Sequence, residues 1–274
     1  MSPPPLPPTP GISNAKVLQA KLRLLKMHYE AGVGHIGGNL SALDIMLCLH
    51  HDVMSPRDKF VLSKGHAAGA LYVTLWSMGQ LGEEDLSQFH RDGTRLSGHP
   101  PAQALPQVLF GTGSLGHGIG LAAGMALGLR LAGSAGRVFC LTSDGEWNEG
   151  STWEGLIFAH HNKLSNLTLI VDQNGLQGFG STREIADLHP LAGKFRQFNV
   201  DTMEVDGHNY PALRQALSGQ SDRPSVIVAN TRKGCGVSFM ENRMEWHYLP
   251  LTEAQYRQAV EEITQCEMRS VNRS

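Results

Sequence analysis

The hydrophobic positions of this chain follow two patterns that alternate along its second half. Apolar runs at 137–142, 166–171 and 225–229 are rich in β-branched and aliphatic residues, which is typical of strands buried on both faces. Around them, apolar residues recur at helical spacing, as in 151–163 and 252–268. Strands that alternate with helices predict an α/β fold, a mostly parallel sheet with helices on both faces.

The first half mixes helices with glycine loops. A helix is predicted over 14–30, with Ser13 as its N-cap, and a glycine loop follows at 32–38. We expect Ser41 to open a second helix, with Asp44 as the partner in a variant capping box. The remaining predictions are a strand at 59–62, helices near 67–78, 188–198 and 211–217, a helix ending near 132, and a strand near 202–205.

A ridge of glycines marks the helix that ends near 132. Gly116, Gly120, Gly124 and Gly128 recur every four residues and would lie along one side of a helix. An interior helical glycine costs about 1 kcal/mol relative to alanine, so the ridge needs a structural reason. We predict close backbone approach to another helix or to the sheet, in the core or at a subunit contact.

Composition narrows the class of protein. The chain has 274 residues, 41% hydrophobic and 18% charged, with a net charge of −2. This balance indicates a soluble globular protein without nucleic-acid or membrane partners. The predicted organisation is a flexible Pro-rich tail at 1–12 and one folded domain at 13–274. Four cysteines without metal-binding spacing predict reduced thiols and a cytoplasmic location.

The candidate chemistry lies where two neighbouring strands end. Asp144 closes one predicted strand and Asn174 the next, so both loops emerge at the carboxyl edge of the sheet, where α/β folds bind ligands. Carboxylate, amide and carbonyl oxygens are hard ligands suited to Mg²⁺ or Ca²⁺. Gly145 lets the backbone approach a phosphate. Three acidic residues in the same block strengthen the functional interpretation: Glu146, Glu149 and Glu154.

The block Ser143-Asp-Gly-Glu followed by Asn174 resembles the thiamine diphosphate signature, which is normally Gly-Asp-Gly followed at a distance by Asn. Further motifs, collinear over about 13–250, make the chain similar to the transketolase family. These motifs are Gly34-His35-Ile-Gly-Gly, Ser63-Lys-Gly-His66-Ala, Ser97-Gly-His99-Pro, Gly111-Thr-Gly-Ser-Leu-Gly, and Lys233-Gly-Cys-Gly with the later Trp246-His247.

The resemblance implies a thiamine diphosphate-binding domain of the type that holds the diphosphate, over 13–274. It implies that Asp144, Asn174 and the carbonyl of Leu176 hold Mg²⁺, with Ca²⁺ or Mn²⁺ as substitutes. The cofactor contacts it implies are His66, Gly113, Ser114, Leu115, Gly145, Asn174, Lys233 and His247. The catalytic set it implies is His35, His66, His99 and His247. Histidine suits proton movement on sugar hydroxyls near neutral pH. Most other histidines, among them His28 and His50, are predicted to be structural.

Three positions depart from the family pattern. Ser143 replaces the first glycine of the signature, and we expect the small side chain to be tolerated. Gly38 stands where the family often has a serine that contacts the cofactor, so a contact there would be made by backbone. His117 replaces a usual glutamine, and the sequence does not predict the effect.

The family resemblance also predicts that half of the active site lies on another chain. Transketolases carry a pyrimidine-binding domain and a C-terminal domain in addition, and this chain ends at residue 274. We therefore expect the N-terminal subunit of a split transketolase, inactive without a separate pyrimidine-domain subunit, in an α2β2 heterotetramer. The expected reaction transfers a two-carbon ketol unit from a ketose, or ketose phosphate, to an aldose acceptor.

Two other interpretations remain open at this stage. One is another thiamine diphosphate enzyme, such as the α-chain of a 2-oxo acid dehydrogenase or a deoxyxylulose-phosphate synthase. The ordered histidine loops and the Trp246-His247 segment favour transketolase over it. The other is a non-catalytic homologue that binds the cofactor, against which the intact histidine set argues.

Overall fold

The computed structural model describes residues 11–271, with side chains up to residue 268. Most of the predicted Pro-rich tail, residues 1–10, lies outside the described residues, so its flexibility stays a prediction. The helices are α1 (Asn14–Ala31), α2 (Ile36–Cys48), α3 (Ala68–Ser77), α4 (Glu83–Ser87), α5 (Gly118–Leu131), α6 (Gly150–His161), α7 (Thr182–Ala186), α8 (Leu191–Gln197), α9 (Tyr210–Ser218) and α10 (Glu253–Val271). The strands are β1 (Lys59–Leu62), β2 (Val138–Ser143), β3 (Leu167–Gln173), β4 (Leu176–Gln177), β5 (Gly180–Ser181), β6 (Asp201–Asp206) and β7 (Ser225–Asn230).

A five-stranded parallel sheet forms the centre of the molecule, in the order β1-β2-β3-β7-β6. The predicted parallel α/β fold is confirmed. A small antiparallel hairpin, β4–β5, which the sequence did not predict, follows β3 at the carboxyl edge. The loops after β1, β2, β3 and β7 therefore emerge side by side at that edge.

Both faces of the sheet are covered, because alternate residues of each strand point to opposite sides. Phe139 and Leu141 of β2 pack in a core with α1, α2, α3, α9 and α10. Val138 and Cys140 of the same strand pack in a second core with α5, α6 and α8. The continuous apolar runs seen in the sequence therefore reflect burial on two sides.

The start of α2 corrects one prediction. The helix begins at Ile36 and is buried throughout, so Ser41 lies inside it instead of capping it. A side chain at Gly37 would approach Lys233 and Trp246 to about 3 Å, which explains a glycine in the first turn. Asp44 likewise serves tertiary structure, since its Oδ1 lies 3.1 Å from Lys21 Nζ.

The glycine ridge faces outward along most of its length. A Cβ built at Gly120, Gly124 or Gly128 would meet nothing within 4 Å, so the prediction of close packing inside this chain is wrong for these three. Gly116 differs, because it precedes the helix and a Cβ there would lie 2.6 Å from Ser151 Oγ. A subunit contact for the exposed part stays a prediction.

Two further observations concern the cysteines and the helices. Cys48, Cys140 and Cys235 are buried free thiols and Cys266 is an exposed one. In the part of the chain that the structure describes, no helix combines the length and apolar character needed to cross a membrane.

Candidate active site

The carboxyl ends of β2 and β3 bring the predicted metal ligands together. The Asp144 carboxylate accepts hydrogen bonds from the backbone N–H groups of Gly145 at 2.8 Å and Gly175 at 2.6 Å. On the second loop, Asn174 Oδ1 accepts from the N–H of Leu176 at 3.1 Å. The three predicted ligands, Asp144, Asn174 and Leu176, therefore lie on adjoining loops that are fastened to each other.

The electrostatics of Asp144 fit a bound cation. Burial and the negative charge of Asp172 raise the pKa of Asp144 to about 6, although two backbone N–H groups and Lys64 act in the opposite direction. A divalent cation would supply the positive charge that this carboxylate lacks. The described residues contain no cluster of three His, Cys, Asp or Glu ligands. One carboxylate with amide and carbonyl oxygens suits Mg²⁺, which keeps further positions for water or phosphate.

The four histidines of the predicted catalytic set form one cluster. The ring centroid of His35 lies 5.8 Å from that of His66, 5.6 Å from His99 and 4.9 Å from His247. The centroids of His66 and His247 are 5.4 Å apart. The four rings come from separate loops. Three of them, His35, His66 and His247, line a cavity of about 220 Å³ with Gly98 of the third motif.

These histidines are held in the neutral form. Burial lowers the pKa of His35 to about 4 and that of His247 to about 3, and the neighbouring positive charges act in the same direction. The same causes place the pKa of His66 well below its usual range. A neutral imidazole has one donor and one acceptor nitrogen, so the cluster can both give and accept hydrogen bonds.

The contact with Lys233 determines which nitrogen of the His247 ring carries the proton. Its Nζ lies 3.2 Å from His247 Nδ1. Burial and the charge of Lys64 lower the pKa of Lys233 to about 8, so the ammonium form still predominates at pH 7. An ammonium donates and cannot accept, so we assign Nδ1 of His247 as the acceptor and Nε2 as the protonated nitrogen.

The glycine loop that precedes α5 lies directly on the turn that carries His66. A Cβ at Gly65 would lie 2.7 Å from the backbone N of Gly113, and a Cβ at Gly113 would lie 2.8 Å from His99 Cδ2. Gly113 also has φ +140°, a conformation that side chains disfavour. Of the next two predicted cofactor residues, Ser114 is exposed and Leu115 is half-buried.

Two glycines of the site have different surroundings. A Cβ at Gly38 would lie 3.6 Å from His66 Cδ2, which is an ordinary contact, so the position leaves room beside that ring. A Cβ at Gly145 would lie 2.9 Å from the Cβ of Gln177, so glycine is needed there for the approach of two loops as well as for any ligand.

A buried ion pair beneath the site was missed from the sequence. The ammonium of Lys64 contacts the carboxylate of Asp172, and both side chains are 0% exposed. Asp172 also accepts from Ser41 Oγ at 2.7 Å and from the hydroxyl of Thr231. Lys64 reaches the carbonyl of Gly38 at 3.4 Å. The pair thus joins the ends of β1, β3 and β7 to α2. In the sequence, this ion pair is indicated only by a Lys and an Asp that stand at the ends of apolar strands.

The acidic block does not form a ligand cluster. Glu146 is buried and accepts from Ser63 Oγ and, at 2.9 Å, from the N–H of Gly116. Glu149 is exposed and Glu154 is half-buried on α6. Glu146 therefore braces the glycine loop against the turn after β1, and the interpretation that the three acidic residues belong to a functional block stays a prediction.

Ser143 and His117, the two other departures, have different surroundings. The Ser143 hydroxyl accepts from the N–H of Glu146 at 3.3 Å, which stabilises the turn after β2. His117 is exposed just before α5, and its side chain makes no capping hydrogen bond to that helix. The expected tolerance of Ser143 stays a prediction.

A parallel α/β domain with an Asp–Asn pair at adjacent strand ends, beside a glycine loop, is the arrangement expected of a thiamine diphosphate-binding domain. A family model described as the thiamine diphosphate-binding domain of transketolase matches residues 14–265. The chain belongs to the transketolase family, whose members are transferases that use thiamine diphosphate and a divalent metal.

Relatives of similar length are named as subunits. The chain is 35% identical over 255 residues to an apulose-4-phosphate transketolase subunit of Phocaeicola vulgatus, covering 89% of this chain and 90% of that protein. It is 37% identical over 247 residues to the 6-deoxy-6-sulfo-D-fructose transketolase subunit SqwG of a Clostridium species, covering 85% of this chain and 90% of that one.

Longer transketolases are matched only in part. Human transketolase is 38% identical over 244 residues, which cover 85% of this chain and 39% of the human protein. The crystal structure of transketolase from Campylobacter jejuni superposes with a TM-score of 0.83 at 28% identity. That match covers 93% of this chain and 43% of the Campylobacter protein, so the chain spans less than half of these transketolases.

Proposed function

We propose that this chain is the diphosphate-binding subunit of a split transketolase, which transfers a two-carbon ketol unit from a ketose to an aldose. The observation that carries the proposal is the meeting of the Asp144–Asn174 loops and the four-histidine cluster at one sheet edge. The chain spans nine-tenths or more of two relatives named as transketolase subunits, which supports a division of the enzyme between two chains.

In this proposal the metal and the diphosphate bind at the ends of β2 and β3. Asp144, Asn174 and the carbonyl of Leu176 hold Mg²⁺, whose charge compensates the buried carboxylate. The backbone at Gly145 and the amide of Asn174 lie beside the diphosphate. The remaining cofactor contacts are proposed for His66, Gly113, Ser114, Leu115, Lys233 and His247.

When bound, thiamine diphosphate supplies the nucleophilic carbon and the electron sink for ketol transfer. The chain's own contribution is to orient the sugar and to move protons. With Lys233 on Nδ1, the protonated Nε2 of His247 is a donor for a sugar oxygen. His35 and His99 are neutral at pH 7 and can hold hydroxyl groups, and each can take up a proton from one.

A partner chain supplies the pyrimidine half of the site in this proposal, in an α2β2 assembly. The site edge offers apolar surface for it: Phe179, in the β4–β5 turn, is 82% exposed. Tyr248 is also exposed, and its hydroxyl donates to the carbonyl of Gly178 at 2.7 Å, which links the hairpin to the His247 segment.

The substrates are proposed as a sugar phosphate, or a related ketose, with an aldose acceptor. Two relatives of similar length carry apulose 4-phosphate and 6-deoxy-6-sulfo-D-fructose in their names. This supports a role in a specialised route of sugar breakdown.

The test combines the purified chain with a candidate partner that carries the pyrimidine domain, and measures ketol transfer across a panel of ketose phosphates. We expect negligible transfer by either chain alone and full transfer by the mixture. Full activity of the isolated chain would refute the split enzyme.

Calorimetry of Mg²⁺ and thiamine diphosphate binding to that complex tests the metal site separately. Asp144→Ala should abolish binding, whereas Asp222→Ala, at an exposed carboxylate, should leave it unchanged. Undiminished binding by the Asp144 variant contradicts the proposed ligand set.

A further inference from the structure

Ser41 makes a contact that its place in helix α2 does not explain. Its side chain is 0% exposed, and its Oγ lies 3.5 Å from Nδ2 of Asn174, which stands 133 residues further along the chain. A hydrogen bond of this length is weak, so its importance lies in which atom of the amide it selects rather than in its energy. The choice matters because Asn174 is one of the three proposed metal ligands.

The single hydroxyl proton of Ser41 is directed at Asp172. Oγ lies 2.7 Å from Oδ2 of Asp172 and 3.0 Å from the carbonyl oxygen of Gly38. The carboxylate is the closer acceptor and carries a negative charge, so it receives the proton. Lys64 contacts the same carboxylate oxygen through its ammonium, which keeps the carboxylate in place. With its proton bound to Asp172, Ser41 can only accept from its remaining neighbours.

This acceptor determines which way the amide of Asn174 points. The nitrogen and oxygen of an amide have nearly the same shape, so their hydrogen-bond partners identify them. The atom that faces Ser41 must donate, so it is the nitrogen. The opposite atom lies 3.1 Å from the backbone nitrogen of Leu176, which donates, so it is the oxygen Oδ1. Two independent neighbours therefore require the same orientation.

The orientation matters for a cation because only the oxygen can bind one. An amide carbonyl that accepts one N–H retains a lone pair for Mg²⁺, whereas the amide NH2 group has none to offer. Asn174 Oδ1 lies beside Leu176, and the adjoining N–H of Gly175 donates to Asp144 at 2.6 Å. A reversed amide would present N–H groups at this position and would repel a cation.

We propose that Ser41 is a positioning residue for the metal site, and that it holds the Asn174 amide with its oxygen directed to the cation. The hydroxyl acts through Asn174 and does not itself bind the metal. Asp172 supports it, because an acceptor for the hydroxyl proton leaves the Ser41 oxygen free to accept. The orientation of the amide is a property of this chain alone, whereas its effect on the cation rests on the proposed function.

Two variants separate positioning from general stability. Ser41→Ala removes the hydroxyl that faces Asn174. Thr231→Val removes a hydroxyl that donates to the other oxygen of the same carboxylate and that has no hydrogen bond to Asn174 among the described residues. Both variants take one donor from Asp172, so both should lower the urea midpoint of the chain to a similar extent. Only Ser41→Ala changes the surroundings of the amide.

Metal affinity is measured by calorimetry on the complex with the candidate partner, by titrating Mg²⁺ at saturating thiamine diphosphate. We expect Ser41→Ala to weaken Mg²⁺ binding by about tenfold and Thr231→Val to change it by less than about twofold. Circular dichroism confirms that both variants fold. An unchanged affinity in Ser41→Ala, or an equal loss in Thr231→Val, overturns the positioning role.

The orientation of the amide has its own measurement, made by nuclear magnetic resonance on the isotope-labelled wild-type chain without metal or cofactor. The side-chain amide protons of Asn174 are assigned by their absence from the spectrum of Asn174→Asp. We expect nuclear Overhauser contacts from these protons to the β-protons of Ser41. If the amide protons are closer to the backbone N–H of Leu176 than to Ser41, the amide is reversed and the proposal is overturned.

Failure of the proposed function gives a different result. If the wild-type complex binds no Mg²⁺ at saturating cofactor, the proposed metal site is wrong, whereas the Overhauser measurement still decides the orientation of the amide. That measurement also needs no variant at position 41, so it stands if Ser41→Ala does not fold.

Discussion

Two buried carboxylates at neighbouring strand ends have opposite surroundings. Asp172 lies at the end of β3, where burial alone would raise its pKa, but Lys64 and the hydroxyls of Thr231 and Ser41 outweigh burial and hold that pKa below its usual range. Asp144 follows β2 and has only backbone N–H donors in contact. Burial and the charge of Asp172 raise its pKa to about 6.

The difference separates structure from ligand binding at the same edge. Asp172 has its counter-charge within the chain, so it fastens strands to α2 whether or not a ligand is present. Asp144 has no salt-bridge partner among the described residues, and burial and Asp172 outweigh the favourable charge of Lys64, so a cation from outside would compensate its negative charge. A buried carboxylate without an internal cation is therefore informative about a ligand, and one with such a cation is not.

The largest effect should follow from breaking the ion pair. Lys64→Met leaves Asp172 buried and unpaired, so we expect the free energy of unfolding to fall by about 3–5 kcal/mol. Urea unfolding followed by circular dichroism measures it. The double variant Lys64→Met/Asp172→Leu should recover at least half of the loss, because no lone charge remains. If the double variant is no more stable than the single one, the charge pairing is not the cause.

In metal-free protein at pH 7, Asp144→Asn should raise the free energy of unfolding, whereas Lys64→Met lowers it. The pKa of Asp144 is about 6 in the folded chain against an ordinary 3.8. The protonated carboxyl therefore contributes its full stabilisation below about pH 4, and this stabilisation is lost as pH rises through 6. Removing the charge should raise stability by about 1–2 kcal/mol, allowing for one lost backbone hydrogen bond.

Unfolding of wild type and Asp144→Asn at pH 4 and pH 7, in EDTA, measures this difference. The gain should vanish at pH 4, where the folded wild type is protonated and the unfolded wild type, with an ordinary pKa of 3.8, is partly protonated. Added Mg²⁺ and thiamine diphosphate should stabilise the wild type only. A variant as destabilised as Lys64→Met would show that Asp144 is structural, and the contrast between the two carboxylates would fail.

Ser143→Gly should have the smallest effect. It restores the usual glycine of the signature and removes the hydrogen bond from the N–H of Glu146, so we expect a loss of about 0.5–1 kcal/mol in stability. Calorimetry should show unchanged Mg²⁺–thiamine diphosphate affinity in the complex. A large change in affinity would mean that this residue, and not Asp144 alone, determines the properties of the loop after β2.

Much of the site was predictable because its signals are local. Gly113 and Gly145 stand out in sequence, and both prove necessary for close approach of neighbouring segments. The start of α2 was mispredicted because Ser41 and Asp44 resemble a capping pair, whereas tertiary contacts with Asp172 and Lys21 explain these residues. A propensity for helix ends was overridden by burial.

The sequence by itself determined the order of the five central strands and the longer helices, the parallel sheet and the loops that carry Asp144 and Asn174, because periodicity and strand ends are local properties. Only the tertiary structure decided which charges are compensated. Lys64 and Asp172 are 108 residues apart, and Glu146 lies 83 residues from Ser63, so no local pattern relates them. Their pairing depends on which strand ends become neighbours, and from it follows which carboxylate is left for a metal.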